Sequence, residues 1–164
     1  MDKIANFLAL ISSGLLAGAF AYGFFTVVPT FYEVPLEVHL TYRDALMRHN
    51  GVYMQTIMAI SVLAPIWWAL TIDGPAISQR LCVTASLLSV ISFVVTRFGN
   101  VPINRMIKTW SAATPPEDYA QLLDRWMVFN AVRTTAAAVG FVCITVAMML
   151  IRKGLVSMKR CSDR

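Results

Sequence analysis

The 164-residue chain is 57% hydrophobic and only 14% charged, with a mean hydropathy of +0.63. A soluble domain usually carries charge on about a quarter of its residues, so the composition excludes an ordinary soluble protein and indicates a membrane protein. The net charge of +5 concentrates in the C-terminal tail and is not spread over a basic surface. We therefore expect no nucleic-acid partner.

Four stretches contain no charged residue, at positions 4–32, 50–72, 81–96 and 134–151. About 20 apolar residues span a bilayer, and the short third stretch is flanked by Arg80 and Arg97, which can extend to the interfaces. The first stretch is too long for a signal peptide. The pattern predicts an all-α polytopic membrane protein, an antiparallel bundle of four transmembrane helices in one domain, residues 1–164. The predicted spans are about 4–29, 50–71, 80–98 and 130–152, followed by a basic tail at 152–164.

The first helix carries Gly14 and Gly18 on one face. This spacing of small residues favours close helix contact, which we expect inside the monomer, although a homo-oligomer stays possible. Pro29 is expected to end or kink the helix, because proline lacks the N–H that the helix needs.

Residues 30–50 carry mixed charges and are predicted to form an outer connection. We expect the second helix to begin between residues 35 and 44, with Asp44 and Arg48 forming a helical ion pair. His39 and His49 also lie here, but no compact two-histidine spacing indicates a metal site. The simpler reading is a solvated face.

A third helix ends in the run Asn-Val-Pro-Ile-Asn. Because Pro102 cannot continue the hydrogen-bond ladder, Asn100 or Val101 is predicted to cap a short helix at 102–112 that carries Asn104. Further on, the sequence 114–117, Thr-Pro-Pro-Glu, predicts a capping box. The fourth helix is therefore expected to run from about 115 to 152.

Trp126, Asn130 and Arg133 fall on one face of this fourth helix, and Ala137 and Gly140 follow on the same face. Polar groups within a membrane segment are costly, so they usually face protein, water or a ligand. The two small residues either let another backbone come close or leave room for a flat ligand under the arginine. Spacing alone leaves both readings open.

The compact basic tail contains five of the cationic residues: Arg152, Lys153, Lys159, Arg160 and Arg164. Such juxtamembrane clusters prefer the cytoplasmic side, so both termini are expected there, in a plasma or inner membrane. The three cysteines form no C-x-x-C pair and are expected to be free thiols.

The runs NVPIN, TPPEDY and RWxxxNxxR, together with a glycine-rich first helix, resemble the anthrone oxygenase-like family of small four-helix membrane proteins. Much of that family is classed only as a domain of unknown function. The resemblance covers about residues 5–150. It implies oxidation of an anthrone to an anthraquinone with O2 as co-substrate and without a cofactor or metal.

The resemblance also implies roles for particular residues. Arg133, with Asn130, Asn100 or Asn104, would donate to the enolate oxygen of a flat, hydrophobic aromatic substrate within the lipid bilayer. Trp126 would stack on its ring. His39 or His49 would act as the base if the outer connection folds over the pocket. The expected catalytic residues are thus Arg133, Asn130 and His39, and the expected substrate-binding residues are Asn100, Asn104 and Trp126.

Two alternatives stay open. A non-catalytic membrane protein could use the same polar cluster to bind a lipid, a quinone or a partner helix. The enzyme requires room below Arg133, whereas the binding protein requires that stripe to be filled by another helix. A weaker alternative is a metal or haem protein, which would need His39 and His49 at one centre.

Overall fold

A computed structural model describes the backbone of residues 3–162 and the side chains of residues 3–152. Throughout that part of the chain the regular structure is helical. In chain order the elements are α1 (Lys3–Tyr22), a π turn (Gly23–Val27), α2 (Val28–Glu33), α3 (Leu36–Thr71), α4 (Ala76–Val95), a second π turn (Thr96–Asn100), α5 (Val101–Ile107) and α6 (Tyr119–Ser162). Most of the basic tail and Cys161 lie outside the described side chains.

Four continuous helical segments are long and apolar enough to cross a membrane. They are Lys3–Glu33, Leu36–Thr71, Ala76–Ile107 and Tyr119–Arg152. The predicted all-α fold with four membrane-spanning helices is therefore confirmed. The helices extend beyond the apolar stretches because charged residues at their ends also take helical conformation.

The four long helices pack as a ring, in which α1 and α4 each contact both α3 and α6. Along the α4–α6 contact, Ser92 binds the carbonyl of Arg133. Ala85 lies two turns before Ser92 on α4. It faces Gly140, which lies two turns after Arg133 on α6. This order of contacts supports the predicted antiparallel pairing of the two helices.

Trp68 and Gly14 locate the contacts that hold the bundle together. The Trp68 side chain is fully buried in a cluster with Ala5, Ala9 and Ile144. A Cβ on Gly14 would lie 3.2 Å from the Phe141 ring. The predicted close contact inside the monomer is therefore confirmed at Gly14, between α1 and α6.

Two prolines are accommodated by π turns that precede them. The N–H of Val28 binds the Gly23 carbonyl, and the N–H of Val101 binds the Thr96 carbonyl, five residues back in each case. Proline clashes with the carbonyl four residues before it in a regular α-helix, and a π turn widens the backbone there. The helix continues through Pro29 to Glu33. Of the two predicted outcomes at Pro29, the end of the helix is therefore wrong, and the kink stays a prediction.

The second π turn also changes the predicted role of Asn100. Its backbone dihedrals are helical, with φ −73° and ψ −42°, and its side chain makes no capping bond. The cap predicted at Asn100 or Val101 is therefore wrong. Because the π turn absorbs Pro102, the helix does not break, and the Asn100 side chain is left to make tertiary contacts.

The predicted start of α3 is confirmed, whereas the predicted start of α6 is wrong. Helix α3 begins at Leu36, within the predicted interval, and contains the Asp44–Arg48 ion pair. The predicted outer connection is thus mostly helix. The capping box at 114–117 is wrong, because α6 begins at Tyr119. Pro115 precedes Pro116, and a residue before proline is pushed out of the helical region.

Candidate functional site

Two arginines from different helices lie over one indole ring. The guanidinium carbon of Arg43, on α3, lies 4.1 Å from the centroid of the Trp126 ring, and that of Arg133 lies 5.8 Å from the same ring. Arg43 and Trp126 are buried, and Arg133 is partly buried. Cations over an indole face are stabilised by its quadrupole. The ring therefore joins two positive charges at one end of the bundle.

Arg133 is oriented by its own helix and by α4. Its Nε donates to Asn130 Oδ1 at 2.9 Å, and its Nη1 lies 3.5 Å from Thr96 Oγ1 in the second π turn. The guanidinium carbon also lies 4.5 Å from the centroid of the Phe20 ring on α1. Three helices thus hold Arg133, and two of its contacts come from residues whose importance was not recognised in the sequence.

Arg43 is held by a second set of contacts. Its Nη2 donates to Asn104 Oδ1 at 3.3 Å, and its Nη1 lies 3.3 Å from His39 Nε2. Because a guanidinium only donates, Nε2 must be the unprotonated nitrogen of a neutral imidazole. The His39 ring stacks on Phe31 of α2, with centroids 4.5 Å apart. Helices α2, α3 and α5 meet at this arginine.

Asn100 lies against the first turn of the Trp126–Arg133 stripe. Its Nδ2 donates to the Trp126 carbonyl at 3.1 Å, and the residue is fully buried. Gly99 permits this approach, since a Cβ there would lie 2.6 Å from Cγ of Phe129. A side chain at this position would push the π turn away from α6 and carry Asn100 with it.

The five residues predicted from the two motifs therefore meet in one cluster, together with His39. Direct contacts join Asn100 to Trp126, Asn130 to Arg133, and Arg43 to Asn104, His39 and Trp126. The exception among the candidates is His49, which is exposed. It lies ten residues after His39 on the continuous helix α3, about 15 Å along the axis, so the two histidines cannot share a metal.

No carboxylate among the described side chains pairs with Arg43 or Arg133. The exposed or half-exposed ion pairs of that region instead join Arg48 and Lys108 to Asp44. Two cations away from bulk water repel each other, and a carboxylate would normally offset them. Each guanidinium has five N–H groups, so both keep donors for an anionic group.

Three buried polar atoms of the cluster also have no hydrogen-bond partner among the described residues. They are Asn100 Oδ1, Trp126 Nε1 and Asn130 Nδ2. Buried polar groups are almost always paired with protein, water or ligand. Four more such atoms lie elsewhere in the described bundle, on Ser12, Ser61, Trp68 and Ser78, so the unpaired atoms of the cluster do not by themselves identify a ligand site.

The space below Arg133 is occupied by neighbouring helices. A Cβ on Gly140 would lie 3.5 Å from the Ala85 carbonyl of α4, and Ala137 packs with Leu16 and Met58. The two small residues therefore admit other helices, and a ligand lying under the arginine on this stripe is excluded.

A separate shallow groove of about 410 Å³ lies between α4 and α6. It is apolar, and no candidate site residue lines it. The lining residues are Leu88, Ala131, Val132, Thr135, Ala136 and Val139. Elsewhere in the described part of the chain, no three histidine, cysteine or acidic side chains gather in a manner that could hold a metal ion.

The site residues that were not identified from the sequence are Arg43, Phe31, Phe20 and Thr96. A signal for Arg43 was present, because His39 and Arg43 are four residues apart and share a helical face. The signal was not distinctive, because the same stretch also contains an arginine and a histidine that are exposed, Arg48 and His49. The two phenylalanines carried no signal that separates them from lipid-facing residues.

Comparison with known proteins gives one positive result. The anthrone oxygenase family matches residues 45–143, which is more than half of the chain and includes Asn100, Asn104, Trp126, Asn130 and Arg133. No curated protein and no solved structure matches the chain. The matched region contains the runs NVPIN, TPPEDY and RWxxxNxxR and the greater part of the polar cluster, and on this basis the chain belongs to the anthrone oxygenase family.

Proposed function

We propose that this protein is a membrane-embedded oxygenase that oxidises an enolisable, anthrone-like aromatic compound with O2. The observation that carries the proposal is the pair of arginines over Trp126 without a carboxylate partner among the described residues. Loss of a proton from an anthrone leaves a negative oxygen conjugated with its aromatic rings. Such an anion would be stabilised by the two cations.

The proposed reaction replaces the CH2 group of the anthrone by a carbonyl and releases one water for each O2 consumed. After deprotonation, the enolate transfers an electron to O2, and the resulting carbon radical and superoxide combine into a hydroperoxide after protonation. The hydroperoxide then loses a proton from carbon and hydroxide from oxygen, which together make water. Because the enolate itself reduces O2, we propose that neither a metal nor a flavin takes part.

Arg133 and Arg43 are the proposed donors to the enolate oxygen, with Trp126 Nε1 as a third. Positive charge and N–H groups held in place before the reaction stabilise the anion without having to reorganise. Arginine stays charged at any relevant pH, so the stabilisation is permanent. Asn130 and Asn104 position the two guanidinium groups through their side-chain oxygens.

His39 is the proposed base. Its Nε2 lone pair is occupied by Arg43 Nη1 at 3.3 Å, so the imidazole is neutral and becomes available once Arg43 turns toward the substrate oxygen. A positioned general base contributes about 10²–10⁴-fold to a rate. The same movement of Arg43 would thus supply a donor to the oxygen and release a base for the carbon.

The proposed location is an integral position in a plasma or inner membrane, with both termini on the cytoplasmic side and the site in the outer half. Arg133 lies 19 residues before Arg152 on α6, which is about 28 Å along the axis. This distance approaches the thickness of the hydrocarbon core. A hydrophobic substrate would then reach the site from the outer leaflet.

A second function is favoured by one observation. The stripe below Arg133 is filled by α1, α3 and α4, which is the arrangement expected of a non-catalytic protein that binds a lipid, a quinone or a partner. The same cationic pair would then hold an anionic headgroup without chemistry. The two proposals differ in whether O2 is consumed.

The test is O2 uptake by purified, chelator-treated protein supplied with an anthrone, with identically prepared membranes lacking the protein as control. We expect protein-dependent uptake of one O2 per anthrone and formation of the anthraquinone. Loss of activity with chelator and recovery with an added metal would refute the cofactor-independent reaction. Binding of the anthrone without uptake above the control would favour the non-catalytic function.

A further inference from the structure

Aromatic rings lie against both arginines of the site. The guanidinium carbon of Arg43 lies 4.1 Å from the centroid of the Trp126 ring and 5.8 Å from that of Phe31. The guanidinium carbon of Arg133 lies 4.5 Å from the centroid of the Phe20 ring and 5.8 Å from that of Trp126. An unbroken series of cation–aromatic contacts therefore runs from α2 through α3 and α6 to α1.

The rings in this series are shielded from solvent. The exposed fraction is 6% for Phe20 and Phe31 and 7% for Trp126. A cation over an aromatic face is held more strongly in such surroundings than at an exposed site, because little water competes for the cation. The three rings therefore lie where their attraction for a guanidinium is strongest.

A ring stabilises an arginine in a different way from a carboxylate. The negative face of the ring attracts the cation without neutralising it. A carboxylate would accept two of the guanidinium N–H groups, and it would compete for them with an anionic ligand. Among the described side chains no carboxylate pairs with Arg43 or Arg133, and aromatic rings are what those side chains offer in its place.

We infer that Phe20 and Phe31 are positioning residues that act through the two arginines: their rings take the place of counter-ions and keep both guanidinium groups fixed, charged and available to an anion. The inference rests on the proposed function for the identity of that anion. Phe31 also stacks on the His39 ring, with centroids 4.5 Å apart, so a change there would disturb two site residues. Phe20 is therefore the cleaner position for a test.

The test replaces Phe20 by phenylalanine carrying one, two or three fluorine atoms on its ring, introduced by stop-codon suppression. Fluorine withdraws negative charge from the ring face and weakens its attraction for a cation, but it changes the shape of the ring little. We expect kcat/KM for O2 uptake with anthrone to fall with each added fluorine, by about tenfold over the series, and the unfolding midpoint in detergent to fall in parallel. The same series at Phe7, which is on α1 but exposed, should leave both quantities unchanged.

A flat kcat/KM series at Phe20 would overturn the inference even if the midpoint fell, since the ring would then only hold the bundle together. An equal fall of kcat/KM at Phe7 would overturn it as well. In Arg133→Gln the fluorine series at Phe20 should no longer move the midpoint, because the cation is gone. Persistence of the trend in that variant would also contradict the inference, and if Arg133→Gln does not fold, the comparison of Phe20 with Phe7 decides.

Failure of the proposed function gives a different result. If the wild-type protein takes up no O2 with anthrone, the oxygenase is refuted, and the unfolding midpoints decide on the rings. A graded fall at Phe20 that is absent at Phe7 would then support the replacement of a counter-ion by the Phe20 ring. Equal midpoints throughout the Phe20 series would overturn it.

Discussion

The guanidinium carbon of Arg43 lies 4.1 Å from the centroid of the Trp126 ring. This contact joins α3 to α6 and places a buried cation beside the motif that contains Asn130 and Arg133. Arg43 lies just before the region matched by the family, which begins at residue 45. The tertiary structure therefore adds to the family motifs a residue that they do not include.

Arg133 is expected to be the residue on which activity depends most. Arg133→Ala should lower the rate of O2 uptake by about a hundredfold or more, by analogy with loss of one oxyanion donor. Arg133→Lys should restore only part of it, because a point charge lacks the planar fork that bonds Asn130 and a ligand together. Near-normal activity of Arg133→Ala in a folded protein would rule out this role.

Arg43 is expected to support the same anion from α3. Arg43→Ala should reduce kcat/KM by about tenfold or more, since one of two cations over Trp126 is lost. Arg48→Ala is the matched control, because Arg48 lies on the same helix but is exposed and pairs with Asp44. Equal effects of the two substitutions on O2 uptake would indicate a general charge effect and contradict a specific role for Arg43.

His39 can be tested as a base separately from its contact with Arg43. Glutamine can accept a hydrogen bond from Arg43 Nη1 in place of Nε2, but it cannot take a proton. We expect His39→Gln to lower kcat by about a hundredfold while the thermal unfolding midpoint changes little. Wild-type kcat in His39→Gln, with loss only in His39→Ala, would mean that His39 merely positions the arginine.

Gly99 is expected to be required for packing. An added methyl group would lie 2.6 Å from the Phe129 ring, and relieving such overpacking costs about 1–3 kcal/mol. This exceeds the gain in helix propensity of about 1 kcal/mol, so Gly99→Ala should lower the unfolding midpoint in detergent. Gly18→Ala is the control, since nothing lies within 4 Å of a Cβ there; equal midpoints for the two variants would contradict the close approach.

The proposed orientation can be checked by cysteine labelling. In a variant whose native cysteines are replaced, Ala113→Cys lies in the exposed α5–α6 connection. We expect a membrane-impermeant maleimide to label it in intact cells, and to label a protein retaining only Cys161 after permeabilisation alone. The reverse pattern would place both termini outside.

The sequence alone was sufficient for the fold class and for one face of α6. The bilayer sets the length of a spanning helix, so four uncharged stretches predict four spans before any packing is known. The regular helical period likewise places Trp126, Asn130 and Arg133 on one stripe. These inferences depend on local helix geometry and on the surrounding bilayer, which are the same wherever the helix lies in the bundle.

The tertiary structure decided what lies opposite that stripe. Whether Ala137 and Gly140 leave space or admit another helix depends on how closely α1 and α4 approach, and the packing fills that space. The π turns before Pro29 and Pro102 also contact α6. Local rules for proline predicted an end or kink at Pro29 and a break before Pro102, because those rules take no account of the π turns that precede both residues.

Arg43 shows most clearly what the sequence determines and what only the tertiary structure determines. In the sequence it is one of several charged residues in a stretch that looks solvated, and helical period alone does not say which of their faces turns inward. Packing of α3 against the rest of the bundle buries His39 and Arg43 and leaves Arg48 and His49 exposed. Which residue supplies the second buried cation therefore depends on the assembled bundle, because a side chain is buried only when distant segments pack against it.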